Sequence, residues 1–125
     1  MPRLKTDPGR ASSRRSPCPV ACALDLVGDR WTMLVIRDLV VGKSRFKDFV
    51  ASPEGIPTNI LSDRLNRLLE HQVVTRASAD GVSKHLAYHL TAKGRALLPV
   101  LRAMRDWGLE WEEGTQALMG AGAAP

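Results

Sequence analysis

The sequence predicts a mainly α-helical fold that carries one small β-hairpin. Apolar residues recur three and four positions apart before residue 71 and again after residue 91, as they do on one face of a helix. Between these segments apolar and polar residues alternate, which is typical of strands. The chain has 125 residues, of which 44% are hydrophobic and 25% are charged. This length and composition suit one domain and are too small for two.

Two helices are predicted before residue 43. Cys18-Pro19 begins the first, because proline at the first helical position loses no hydrogen bond, and Gly28 ends it. Asp29 belongs to the residue types that cap helices, so it can begin the second helix. We expect Gly42 to end that helix in the left-handed conformation that glycine adopts without steric cost.

A short third helix and a longer fourth helix are predicted around a tight turn. Ser44 can cap the third helix, and residues 52–55 break the chain after it. The fourth helix runs from Pro57 to about His71 and is amphipathic. Its apolar side is made of Leu61, Leu65 and Leu68.

A β-hairpin is predicted next, formed by residues 73–76 and 86–90. Thr91 can cap the last helix, and Pro99 lacks the backbone N–H that a helix interior needs, so it should bend or restart that helix. This order of elements is that of a winged helix-turn-helix, in which the helix after the turn enters the major groove of DNA. The sequence therefore predicts a mainly α winged helix-turn-helix with a small hairpin.

The positive charge is distributed unevenly along the chain. The net charge is +5 and the pI is about 9.8, which favours an acidic partner. Residues 1–17 hold five basic residues and one acid, and we expect them to form a disordered basic arm. Residues 18–113 are predicted to be one folded domain with a basic surplus in its middle, and residues 114–125 a flexible tail.

The sequence argues against membrane, secreted and enzymatic functions. It has two cysteines and no apolar run of about 18 residues, so we expect a soluble cytoplasmic protein. No catalytic residues are predicted, because there is no phosphate-binding glycine loop, hydrolase triad or carboxylate pair in a recognisable setting. His85 and His89 would lie about 13 Å apart on a strand, too far to share a metal ion. No cofactor is expected.

Six segments of the chain form a characteristic set in a fixed order. They are Cys18-Pro19, residues 24–32 (LDLVGDRWT), Arg45-Phe46, Gly55-Ile56, residues 61–65 (LSDRL) and residues 88–94 (YHLTAKG). Together they resemble the HxlR family of bacterial transcriptional regulators, over about residues 18 to 111. The resemblance implies a homodimer that binds specific double-stranded DNA sequences and dimerises through its first and last helices. It therefore implies that residues 18–113 are the winged helix-turn-helix DNA-binding and dimerisation domain.

The sequence departs from the family pattern in four respects. Gln72 follows His71 where the family usually has glycine, so a left-handed helix end there should cost more or be replaced. Pro57 stands where the family often has a serine cap, and Ala87 replaces the acid before the hairpin tyrosine. The proline often found in the wing is also absent. These departures concern the path of the wing and not the fold.

The fourth helix supplies the candidate base-reading residues, because short donor and acceptor side chains suit the edges of base pairs. They are Thr58, Asn59, Ser62 and Asn66. Asp63 could accept a hydrogen bond from a cytosine amino group, but we expect it to hold Arg67 in position. Phosphate contacts are predicted for Lys43, Arg45, Arg64 or Arg67, Arg76, Lys84 and His85. Two such helices about 34 Å apart would read a pseudo-palindrome.

An apolar surface of the first and last helices is predicted to form the homodimer, since aromatic and methionine residues are enriched at interfaces. Its residues are Val20, Leu24, Leu101, Met104, Trp107 and Trp111. The alternative is that they pack within one monomer. A second functional interpretation is a winged-helix module that binds another protein through this surface, without sequence-specific DNA binding.

Cys18 is a candidate redox or electrophile sensor. It stands at the start of the first helix, where the helix dipole favours an anionic thiolate. A disulfide to Cys22 within one helix is geometrically awkward, so oxidation would join Cys18 to the other subunit. The alternative is an inert thiol. Some members of the family look like sensors that act through this cysteine. The resemblance therefore allows a small-molecule or redox effector but does not identify it.

Overall fold

The computed structural model describes residues 14–78, 80–82 and 85–117. Six helices and two strands occur in these ranges. They are α1 (Pro19–Val27), α2 (Thr32–Val40), α3 (Phe46–Val50), α4 (Thr58–Glu70), β1 (Val74–Ala77), β2 (Ala87–Leu90), α5 (Ala92–Arg95) and α6 (Leu98–Trp111). This is the predicted winged helix-turn-helix, in which α3 and α4 form the helix-turn-helix and the two strands form the wing.

The first two helices begin and end much as predicted. Pro19 occupies the first turn of α1, and Gly28 follows its last residue. Trp31, and not Asp29, occupies the cap position of α2, but the Asp29 carboxylate accepts hydrogen bonds from the backbone N–H groups of Trp31 and Thr32, at 3.0 and 3.2 Å, and so satisfies donors at the start of α2. After α2, Gly42 has a φ of 101°, as its predicted left-handed role requires.

Ser44 does not cap α3, which corrects the prediction. Arg45 occupies the cap position, and the Asp48 carboxylate accepts a hydrogen bond from its backbone N–H at 3.2 Å. Ser44 instead contributes its carbonyl oxygen, which accepts a hydrogen bond from the backbone N–H of Tyr88 at 2.8 Å. This bond ties the wing to the segment before α3, a contact that the sequence pattern did not indicate.

The wing is a short antiparallel pair in which Val74 lies opposite Leu90 and Arg76 opposite Tyr88. Tyr88 is buried. The Thr91 hydroxyl then accepts a hydrogen bond from the backbone N–H of Gly94 at 3.1 Å and caps α5. Two residues separate α5 from α6, and Pro99 lies in the first turn of α6, so the helix restarts there as predicted.

One hydrophobic core joins the helices to the wing. Its most completely buried members come from α2, α3, α4 and the start of the hairpin: Ile36, Phe49, Leu61, Leu65, Leu68 and Val73. The rings of Phe49 and Tyr88 pack in an edge-to-face arrangement, with centroids 6.2 Å apart, so α3 packs directly against the wing. No described helix is both long enough and apolar enough to cross a membrane.

The predicted terminal segments lie largely outside the described residues, namely 1–13 of the basic arm and 118–125 of the tail. The described end of the arm contacts α1, since Arg15 Nε lies 2.5 Å from Asp25 Oδ1. At the other end, the Thr115 hydroxyl donates to carbonyl oxygens of Gly108 and Glu112, so the chain turns back against the end of α6.

Candidate nucleic-acid interface

The α4 helix presents a polar face to solvent. The four candidate base-reading residues, Thr58, Asn59, Ser62 and Asn66, are all exposed. The leucines on the opposite side, Leu61, Leu65 and Leu68, are at most 1% exposed. Because the buried row fixes the rotation of the helix about its axis, the polar side chains are held outward on one surface.

The end of α4 keeps the left-handed conformation although glycine is absent. Gln72 has a φ of 61°, the only positive φ of a non-glycine residue in the described ranges. The backbone N–H of Gln72 donates to the Leu69 carbonyl at 3.1 Å, and that of Val73 donates to the Leu68 carbonyl at 2.9 Å. These are the two bonds of a Schellman motif, which also ends α2 at Gly42. The Schellman motif therefore forms here despite the steric cost of a side chain at a positive φ.

Two arginines of α4 attach it to the first part of the chain. Arg64 Nε lies 2.8 Å from Asp29 Oδ2, and its guanidinium also pairs with Asp63. Arg67 donates to the carbonyl oxygens of Asp25 and Leu26, at 2.8 and 3.5 Å. The prediction that Asp63 holds Arg67 is wrong, because Asp63 pairs with Arg64. Both arginines proposed for phosphate contact thus have partners within the chain.

The Asp29 carboxylate is the anchor of this attachment. Besides its bonds at the start of α2, it accepts a hydrogen bond from the Thr32 hydroxyl at 2.5 Å. Burial acts to raise the pKa of Asp29, but the hydrogen bonds from Thr32 and Arg64 outweigh it and lower the pKa to about 2. Asp29 is therefore charged at neutral pH and holds the cap and the ion pair together.

The remaining basic candidates occupy different settings. Arg45 lies at the start of α3, half-buried. Lys43 is half-buried, and its Nζ donates to the Ser52 hydroxyl oxygen at 2.7 Å. Lys84 lies outside the described residues.

On the wing, Arg76 is exposed, with its guanidinium carbon 6.0 Å from the centroid of the Tyr88 ring. His85 Nδ1 lies 2.6 Å from Asp80 Oδ2. Hydrogen bonds from the Ser78 hydroxyl, the Val82 backbone N–H and His85 lower the pKa of Asp80 to about 2. A carboxylate therefore stands beside His85, which reduces its suitability for a phosphate.

The α1 and α6 helices each expose apolar side chains. Trp107 and Trp111 are 62% and 66% exposed, and Val20, Leu24 and Met104 are also more than half exposed. Leu101 is 7% exposed and packs in the core of the monomer, so its predicted place on this surface is corrected. Val100, which the sequence analysis missed, is 45% exposed and continues the row of Met104, Trp107 and Trp111 by helical spacing.

Both cysteines are free thiols near the start of α1. Cys18 is exposed and occupies the cap position, and its backbone N–H donates to the Ser16 hydroxyl oxygen at 3.1 Å. Cys22 lies one turn later, half-buried, with its Sγ 3.3 Å from the Ser16 carbonyl oxygen. Within the described ranges, no three His, Cys, Asp or Glu side chains form a group that could hold a metal ion.

Comparison with known proteins places this geometry among transcriptional regulators. Residues 26–116 match the HxlR-like helix-turn-helix family. The HTH-type transcriptional regulator sll1512 of Synechocystis sp. is 34% identical over 96 residues, which cover 77% of this chain and 71% of the relative. The crystal structure of PA1607, described as a candidate transcription factor, is 41% identical with a TM-score of 0.76, covering 91% of this chain and 82% of that one.

A second solved relative is known in several chemical states. The reduced form of the transcriptional regulator YodB from Bacillus subtilis is 31% identical with a TM-score of 0.64, and the match covers 81% of this chain and 100% of YodB. YodB has also been solved with quinone bound and after treatment with diamide.

Proposed function

The chain belongs to the HxlR-like helix-turn-helix family of transcriptional regulators, and we propose that it binds a pseudo-palindromic operator as a homodimer. The observation that carries this proposal is the exposed polar face of α4, held outward by its buried leucines. In the proposed complex, α4 lies in the major groove, where Asn59, Ser62 and Asn66 contact base edges. Thr58 lies beside them at the start of the helix.

Phosphate contacts are proposed for residues on either side of α4. Arg45 precedes α3, and Arg76 projects from β1 into solvent, so these two are the strongest candidates. His85 is a weaker candidate beside Asp80. Such contacts orient the protein on the duplex and give affinity that falls with salt, without reading sequence.

The homodimer is proposed on the exposed apolar surface of α1 and α6. One recognition helix reads too few base pairs for selectivity in a genome, whereas two related by a twofold axis read a longer site. The protein-interaction module is the less favoured interpretation, because it leaves the polar face of α4 without a role. We also place the protein in the cytoplasm, with the chromosome that it regulates, and assign it no catalytic activity.

Selection of bound sequences from a random pool of DNA duplexes tests this function. We expect an enriched motif with twofold symmetry and half-sites about one helical turn apart. Asn59→Ala should relax the preference at one position of each half-site, whereas Arg76→Gln should weaken binding to all sequences alike. A pool that shows no enrichment, with a folded wild-type protein, would contradict the proposal.

A thiol-reactive effector is proposed for Cys18. Its exposure at the cap of α1 leaves the sulfur accessible, and YodB, a relative, has been solved with quinone bound. Labelling of wild type, Cys18→Ser and Cys22→Ser with a quinone should show that the loss of Cys18 removes the rapid reaction. Equal labelling of wild type and Cys18→Ser would exclude this role.

A further inference from the structure

A cluster of buried polar side chains joins α2 to the turn between α3 and α4. Asp38 is 2% exposed and Ser52 is 8% exposed, and the Ser52 hydroxyl donates to Asp38 Oδ2 at 2.5 Å. Lys43 Nζ donates to the same hydroxyl oxygen and lies 3.9 Å from Asp38 Oδ1. We call Asp38, Lys43 and Ser52 the turn clamp.

A second set of hydrogen bonds also attaches the turn between α3 and α4 to α2. Arg37, next to Asp38 on α2, donates two hydrogen bonds to Glu54, each at 2.8 Å, and two more to Asp38 Oδ1. The hydrogen bond to Glu54 raises the pKa of Arg37, and the same bond lowers the pKa of Glu54. The turn is therefore fixed to α2 at Ser52 and at Glu54, immediately before α4 begins.

Lys43 is held at both its backbone and its side chain. Its backbone N–H donates to the Asp38 carbonyl at 2.9 Å in the motif that ends α2, while Nζ reaches Ser52 nine residues later. A buried carboxylate without partners is costly, and Asp38 is satisfied by Arg37 at Oδ1 and by the Ser52 hydroxyl at Oδ2, which Lys43 in turn holds in place. Removing the hydroxyl or the ammonium weakens the attachment at Ser52 and leaves the one at Glu54, so the turn, and α4 with it, should be held less precisely against α2.

We propose that the turn clamp positions α4 for base reading, and that Lys43 acts through Ser52 and not by binding a phosphate. The inference rests on the proposed DNA-binding function. Base contacts need precise placement of donors and acceptors, whereas the attraction between basic side chains and phosphates tolerates small displacements. Loss of the clamp therefore lowers discrimination between sequences more than it lowers total affinity.

The test compares Lys43→Met and Ser52→Ala with Arg76→Gln, an exposed basic residue proposed to contact phosphate. The affinity of each protein for the selected operator and for a scrambled duplex is measured over a series of salt concentrations. We expect both clamp variants to lower the ratio of the two affinities roughly ten-fold and to keep the wild-type salt slope. Arg76→Gln should keep the ratio and reduce the slope by about 1.

Two further variants separate hydrogen bonding from charge and test the coupling. Lys43→Gln keeps a donor without the charge, so it should retain most of the affinity ratio. The double variant Lys43→Met with Ser52→Ala should lose little more than the worse single variant, because residues of one network are not additive. Circular dichroism confirms that each protein is folded.

The outcomes distinguish the two levels of the proposal. If Lys43→Met keeps the ratio and lowers the salt slope by about 1, Lys43 binds a phosphate and the turn clamp is overturned. Additive losses in the double variant would likewise overturn it. If the wild-type protein itself binds both duplexes equally, the proposed DNA-reading function fails before the clamp is considered.

Discussion

Arg64 Nε lies 2.8 Å from Asp29 Oδ2, and this ion pair ties the recognition helix α4 to the start of α2. The same carboxylate accepts the hydrogen bonds that cap α2. One side chain therefore both stabilises a helix end and orients the helix that is proposed to read DNA.

Asp29→Asn should lower the free energy of unfolding by about 1 kcal/mol at neutral pH, since the pair is partly exposed and screened by solvent. The pKa of Asp29 is lowered from 3.8 to about 2, so its contribution is present above pH 4 and is lost as the pH falls toward 2. Urea unfolding of both proteins across this window should show the difference between them shrinking. Asp80 is present in both proteins, so its titration cancels. A constant difference would contradict the assigned role.

Gln72→Gly should stabilise the protein by roughly 0.5–1 kcal/mol, because glycine adopts a positive φ without the steric cost of a side chain. Gly42→Ala is the matched change in the opposite direction, at the equivalent position after α2, and should destabilise by about 1 kcal/mol. Thermal and urea unfolding measure both. The interpretation of the helix end fails if Gln72→Gly lowers the stability.

Gly94→Ala should destabilise the protein by roughly 1–3 kcal/mol. A Cβ built at Gly94 would lie 2.2 Å from the Val73 carbonyl oxygen and 2.9 Å from Leu90 Cδ2, so α5 would have to move away from the hairpin. Gly108→Ala is the control, since a Cβ there meets nothing within 4 Å and alanine favours a helix. Equal unfolding midpoints for Gly94→Ala and wild type would contradict the prediction, because they would show that the hairpin accommodates the added Cβ without loss of stability.

Trp107→Asp should convert the proposed homodimer to a weakly associating monomer. The side chain is 62% exposed in the single chain, so its replacement removes little from the monomer core but places a charge in the proposed interface. Sedimentation velocity measures the change, and Val82→Asp supplies an exposed apolar-to-charged control on the wing. If Trp107→Asp still forms an intact dimer, the dimer interface does not include Trp107 and lies elsewhere.

Several features of this protein could be predicted because their causes are local. The amphipathic row of Leu61, Leu65 and Leu68, the cap at Thr91 and the restart at Pro99 depend on neighbours within a few residues. The left-handed residue at Gly42 is of the same kind. The DNA-binding role was predicted from the family resemblance, which depends on short segments in a fixed order.

The partners of the polar side chains were decided by the tertiary structure. Asp63, Arg64 and Arg67 share one helix, so their spacing alone allows several pairings. In the structure, Arg64 pairs with Asp29 and Arg67 donates to carbonyl groups at the end of α1, because these groups pack beside α4. Lys43 likewise turns to Ser52 because the turn returns to α2. Which side of α6 is buried depends on where α2 packs against it. Leu101 lies on the buried side and Val100 on the exposed side. Periodicity determines that a helix has an apolar face, whereas contacts between residues distant in sequence determine which groups meet.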